Sequence, residues 1–338
     1  MAKKKRRDRV PTPSWEEPTG VGRQLTSFSP KFYMTSAVVL LVLIALGLVA
    51  YGLISDYVED QRRPGSTAVR VDGKEYDLRY YTERLRTYVQ QNGGPGSQLA
   101  QPEFALGAVR DQLVEETILL QFAGELGVTA TDAEVNEQIA LRLATTADAP
   151  DFETRLQDEL ARTGITEDQF RDQLEAVVLR QKLVDHFVNE LPETDESVHY
   201  RQIVVATRQE ADEIQAEIEA GGDFAEIAQE RSLDTITSED GGDAGWVPRG
   251  ILQTAIEDTL FSMEPDELRV QEVGGRFYVF QLIESDEAHE IEDDRKPGLA
   301  ERELFDWLQQ KRSAVTIEDM VTTDNDKARW AIERAYNL

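Results

Sequence analysis

Apolar residues follow three different spacings along this chain, and each spacing predicts a different kind of structure. From Phe32 to Ile54 the residues are almost continuously apolar, centred on Ala37–Ala50, with no charged side chain. Roughly 22 residues as a helix would span about 33 Å, the thickness of a bilayer core. A buried globular helix is the bland alternative and a cleaved signal peptide the nearer one. The run is longer than a usual signal segment, however, and no small-x-small site follows it. An uncleaved anchor is the expectation.

After a polar linker, Gln61-Arg-Arg-Pro-Gly-Ser66, the segment Thr67–Tyr76 with Asp72-Gly73 predicts a strand, a turn and the start of a second strand. Helical spacing then takes over: Leu78–Gln91 before the break at Gly93–Gly96, Pro102–Leu126, Thr131–Ala144, Phe152–Thr163 and Thr166–Glu190. Thr131 with Glu134, and Thr166 with Gln169, have the spacing of capping boxes. This mostly helical domain is expected to end near Leu191-Pro192.

The pattern changes again at about His199. Arg201–Ala206 reads as a strand, Gln209–Ala220 and Phe224–Arg231 as helices, and Gly241–Trp246 as a glycine-rich loop. A helix around Ala255–Ser262 and strands at Leu268–Glu272 and Phe277–Ile283 close a compact α+β unit. The tail from Lys296 reads as helical again and is too short to fold alone, so it is expected to dock on the helical domain.

Charge orients this plan. Eight basic residues against three acidic ones precede or border the apolar run, and Asp56, Glu59 and Asp60 follow it, which places the N-terminus in the cytoplasm and the remainder outside. A nucleic-acid patch is the other reading of the basic cluster. The net charge of −29 over 338 residues argues against nucleic acid as a partner. With no cysteine and only His186, His199 and His289, none in ligand or triad spacing, neither metal catalysis nor a Ser-His-Asp hydrolase is indicated. No cofactor and no metal are implied.

The order Gln202-Ile-Val-Val, Gly222-Asp-Phe-Ala-Glu-Ile-Ala, Gly241-Gly-Asp-Ala-Gly-Trp, Pro248-Arg-Gly, Ile256-Glu-Asp and Leu260-Phe-Ser resembles the parvulin family of peptidyl-prolyl isomerases. Val71–Glu75, Leu113–Thr129 and Gly164–Arg171 are similar to the N-terminal chaperone domains of the SurA, PrsA and PpiD group. The expected fold is therefore α+β: a SurA-N-like helical chaperone domain and a compact parvulin domain, FKBP-like, after one transmembrane helix. The expected division is a basic cytoplasmic tail over 1–31, an anchor over 32–54, a linker over 55–66, the chaperone domain over 67–196, the parvulin domain over 197–288 and a docking segment over 289–338.

The resemblance implies an extracytoplasmic prolyl isomerase with chaperone activity. Its partners would be unfolded or partly folded exported polypeptides, the membrane through residues 32–54 and the secretion translocon. By motif position the proline pocket falls on Leu252, Ile256 and Phe261. The family's polar positions, usually His, Cys or Asp, and His, fall on Gln202, Thr235 and Tyr278, with Asp234 as the acidic member if the loop shifts by one. Those departures keep open a parvulin fold used only for holding chains. His199 lies three residues before Gln202, an odd offset that turns it to the other sheet face. The glycines at 241, 242 and 245 are expected to serve turn geometry, Asp243 to order that loop and Trp246 to belong to the core.

Overall fold

The computed structural model describes residues 44–48, 51 and 62–336. The expected anchor over 32–54 falls largely outside them, and no helix among the described residues is long and apolar enough to cross a membrane. Residues 44–48 are helical with exposed Ile44, Leu46 and Leu48.

Within residues 63–338 the chain opens with β1 (Thr67–Val71) and β2 (Lys74–Asp77). Asp72 and Gly73 between them both have positive φ, 45° and 86°, the combination a two-residue hairpin turn requires. Five helices follow: α1 (Leu78–Gln91), α2 (Pro102–Phe122), α3 (Asp132–Arg142), α4 (Phe152–Thr163) and α5 (Glu167–Glu190). Both capping boxes form, at Thr131–Glu134 and Thr166–Gln169. Leu85, Leu113, Ile139, Leu156 and Leu183 bring one face of each helix into a single core.

That core is completed from the far end of the sequence. Helix α9 (Lys296–Ala314) contributes Ala300, Leu304 and Leu308 and packs on α5 and α2, while α10 (Asn325–Tyr336) contributes Trp330, Ala331 and Ala335 and packs on α1. The tail is not wholly helical as its pattern suggests: β7 (Ile317–Asp319) pairs antiparallel with β1, giving a three-stranded sheet in the order β2-β1-β7. Three residues are too short for alternation to register.

The cap at α3 carries a pH signature. Glu134 accepts from the Lys182 ammonium and from the Thr131 backbone and hydroxyl, and these bonds hold its carboxyl at about 2. Because the folded value is depressed, what this carboxylate adds to the helix start is present above the ordinary value of 4.5 and is lost as pH falls towards 2. Carboxyl-carbon NMR should find its midpoint near 2; a midpoint near 4.5 would show that the cap and ion pair do not persist in solution.

The second sheet is antiparallel, ordered β4-β3-β6-β5, from β3 (Thr194–Val205), β4 (Asp243–Pro248), β5 (Leu268–Val273) and β6 (Arg276–Glu290). Helices α6 (Arg208–Glu219) and α7 (Phe224–Arg231) cover one face through Ala211, Ile214, Phe224 and Ile227 against Ile203, Val205 and Val279. Helix α8 (Thr254–Leu260) covers part of the other through Ile256 and Leu260 against Val198, Tyr200, Phe280 and Leu282.

Two boundaries differ from the sequence pattern. Strand β3 begins at Thr194, well before Arg201, because its polar start pairs with the equally polar end of β6, Thr194 with Glu290. The glycine-rich run expected to be a loop is largely strand β4, paired with Ser197–Arg201. Glycine disguises a strand because its low β propensity is outweighed here by pairing across the sheet.

Candidate functional site

Side chains at even offsets on β3 share one face, so Tyr200 and Gln202 lie beside Tyr278 and Phe280 of β6, where Gln202 pairs with Phe280 and Val204 with Tyr278. The aromatic rings form a continuous series: Tyr278 stacks on Phe280 at 5.6 Å and Phe280 meets Tyr200 edge-on at 5.9 Å. Ile256, Leu252 and Ala244 pack against the same cluster.

The loop after α7 closes one side of this face. Leu233 N–H donates to the Val204 carbonyl at 2.7 Å and Val204 N–H to the Ser232 hydroxyl at 3.1 Å, which fixes Asp234 beside β3. Gln202 Nε2 donates to Asp234 Oδ2 at 2.6 Å, and the buried Thr237 hydroxyl donates to the same oxygen at 2.7 Å. Ile236 N–H donates to Asp234 Oδ1 at 3.1 Å. Partial burial pushes the Asp234 carboxyl up, but the bonds from Thr237, Ile236 and Gln202 outweigh it and hold the group below the usual carboxylate range. Of the two adjacent candidates Asp234 is the one bonded to Gln202, while Thr235 is exposed.

Two glycines make the close approach possible. Gly242 has φ +81°, its carbonyl accepts from Gln202 N–H at 2.8 Å, and a Cβ there would stand 2.5 Å from the Gln202 carbonyl oxygen. At Gly241, φ +68°, a Cβ would be 2.6 Å from that of Ala225. No other residue fits either position without moving β3 or α7.

The three apolar pocket candidates share one cluster with Tyr200 and Phe280, Ile256 within it and Leu252 and Phe261 packed against it. Phe261 also lines a cleft with Val198, Met263 and Ser285 and lies beneath the Arg249 guanidinium at 4.0 Å.

His199 is on the opposite face, where its Nε2 is 2.8 Å from Asp243 Oδ1, the oxygen that also accepts from Gly245 N–H. Trp246 is stacked on His289 at 3.9 Å and tilted against His199 at 5.6 Å, half-buried rather than in the core.

Sequence reasoning missed Tyr200 and Thr237. Burial pushes the Tyr200 phenol up to about 12, with the Arg295 charge opposing that shift and the Asp234 charge adding to it. An even offset from Gln202 was the available signal for Tyr200. Thr237, three residues after Asp234, has the spacing of a side-chain-capped turn.

The fold and the site together define a helical domain carrying a small isomerase-type α+β domain, and comparison with known proteins agrees. Residues 29–184 match the SurA-like N-terminal domain and residues 189–286 the PPIC-type PPIase domain. The chain is 29% identical over 167 residues to "Foldase protein PrsA" of Caldanaerobacter subterraneus subsp. tengcongensis, covering 49% of this chain and 52% of that protein. It is 29% identical over 129 residues to "Periplasmic chaperone PpiD" of Haemophilus influenzae, covering 36% of this chain and 20% of that one. The chain thus spans about half or less of these curated relatives. The solved parvulin domain of PpiD from E. coli is 27% identical, covering 28% of this chain and 93% of that one, with a TM-score of 0.26. The chain belongs to the parvulin-type foldase and chaperone group that includes PrsA, SurA and PpiD.

Proposed function

We propose that this protein is an extracytoplasmic, membrane-anchored folding factor. In this reading its parvulin domain isomerises bonds preceding proline in exported, incompletely folded chains, and its helical domain holds them. The observation that carries the reading is the Asp234–Gln202 pair, with Gln202 paired across the sheet to Phe280 of the apolar cluster on which Tyr278, Leu252, Ile256 and Phe261 pack.

A planar amide places negative charge on its oxygen and positive charge on its nitrogen, and twisting through the barrier of roughly 20 kcal/mol removes that polarisation. A site that disfavours the planar charge distribution, and donates to the nitrogen lone pair as it localises, lowers the barrier without breaking a bond. Asp234, anionic and fixed by three donors, supplies the negative charge beside the carbonyl oxygen. Gln202 and Tyr278 replace the usual histidines as hydrogen-bonding groups, since rotation needs no proton transfer. Leu252, Ile256 and Phe261 seat the proline ring.

The holding role is supported by a cleft of about 410 Å³ between α2 and α9, lined by apolar Val114, Ile118, Phe305 and Leu308 and by polar side chains that include Asp111 and Glu115, with Phe305 53% exposed. The names of the relatives, foldase and chaperone, support the same assignment. The apolar run at 32–54 and its flanking charges support the anchor, and the secretion translocon is a further proposed partner.

The test is cis–trans exchange by NMR in Xaa-Pro peptides with the full-length chain in mild detergent. Catalysed exchange is expected, and Leu252→Ala should reduce kcat/KM about tenfold by removing apolar contact with the ring. An exchange rate that matches the uncatalysed one for every peptide would leave the holding role alone.

A further inference from the structure

We propose that a client chain is bound at two points at once, its proline in the parvulin pocket and an apolar side chain about four to seven residues away in the cleft beside Phe305. This rests on the isomerase reading above and names the kind of client it favours. The two sites share a wall, α9. Its first turn touches the pocket loop: a Cβ on Gly298 would lie 3.8 Å from Ile251, and one on Gly250 would lie 3.5 Å from Leu299. Ile251 and Leu252 of that loop both pack on the cluster of Tyr200 and Phe280. Phe305 follows Gly298 by seven residues, close to two helical turns, so the two positions lie on one face of α9 about 10 Å apart.

That face is open to solvent: Gly298, Glu301, Phe305 and Gln309 are exposed, whereas Ala300 and Leu304 turn into the helical core. Between its two ends Arg180 of α5 bridges Glu301 at 2.6 Å and Glu115 of α2 at 2.9 Å. Polar groups there suit the peptide backbone between two apolar anchors and not a third apolar side chain. At the cleft, Phe305, Ile118 and Val114 offer the second anchor apolar contact. Arg312, a further seven residues on, pairs with Asp111 at 2.7 Å and ends the apolar stretch. An extended chain advances about 3.3 Å per residue, so two residues fall short of the distance between Gly298 and Phe305 and four span it. The descent into pocket and cleft takes up the rest.

The experiment measures cis–trans exchange by the full-length chain for peptides with one proline and one phenylalanine, two or five residues apart and in either order, joined by Ser and Gly. Peptides with serine in place of the phenylalanine are the reference. At five residues, in at least one order, KM should fall about five- to tenfold against the serine peptide with kcat little changed, because the anchor is held equally before and during rotation. At two residues the ratio should be near one. Phe305→Ser, at an exposed position that leaves the core closed, should level the five-residue ratio, and Phe305→Leu should keep most of it. Equal KM for phenylalanine and serine peptides at both spacings and in both orders, or a gain that Phe305→Ser leaves in place, would overturn two-point binding while the isomerase stands. An equal gain at two residues would put the phenylalanine at the pocket itself and overturn the part given to the cleft. No catalysed exchange of any peptide would remove the isomerase reading and two-point binding with it.

Discussion

Asp234→Asn is expected to lower kcat/KM for Xaa-Pro isomerisation by about ten- to a hundredfold, less than the roughly hundred- to thousandfold that follows removal of one preorganised oxyanion donor. Unit charges 4 Å apart at an effective dielectric of 20 interact by about 4 kcal/mol, and a peptide oxygen gains or loses only part of a charge on twisting. A gain of about 1.5–2.5 kcal/mol is the scale of that rate loss. Asn keeps the shape, but its NH2 must face either the Ile236 N–H or the Gln202 and Thr237 donors, so an unfolding measurement on the same variant separates lost charge from a disturbed loop. The pH profile should agree. The Asp234 carboxyl is held below the ordinary carboxylate range, so its ionised form, and the rate, persist from neutral pH down past the usual carboxylate pKa and fall only as pH drops through the depressed folded value. NMR exchange rates for Asp234→Asn equal to the native rates would show that rotation is helped by the pocket alone.

Arg84→Ala is expected to cost the helical domain about 3–5 kcal/mol in urea unfolding, because it strands a buried carboxylate. The Glu116 side chain is 4% exposed, ion-paired to Arg84, and accepts from the Tyr80 hydroxyl at 3.2 Å, which itself accepts from Arg84 at 2.8 Å. Burial alone would lower the Arg84 pKa, and the surrounding Tyr80 and Glu116 more than reverse that, so the guanidinium stays charged throughout the working range. Replacing both ions, Arg84→Met with Glu116→Leu, should cost far less than the single change, since no unpaired charge remains. A single substitution as mild as the double one would show that water reaches Glu116.

The same two sites mark where sequence reasoning reaches and where it stops. Local chemistry announced the capping boxes at Thr131 and Thr166 and the Asp72-Gly73 hairpin, because each is complete within four residues. Helical and alternating periods separated the helical domain from the α+β domain for the same reason: burial of one face leaves its spacing in the chain. The parity of β3 put Gln202 and His199 on opposite faces without coordinates.

Other features depend on partners distant in sequence, and spacing carries no trace of them. Asp234 rather than Thr235 faces Gln202 because the loop is tied to the Val204 backbone by Leu233 and Ser232. Tyr200 joins the site through ring contacts with β6. Strands β4 and β7 exist only by pairing with β3 and β1. Periodicity records which side of an element is dry, and local hydrogen bonds record where it begins. Which elements meet, and which charges they trap between them, is decided by packing across the whole fold, and only the folded chain brings Arg84 to Glu116 and Asp234 to Gln202.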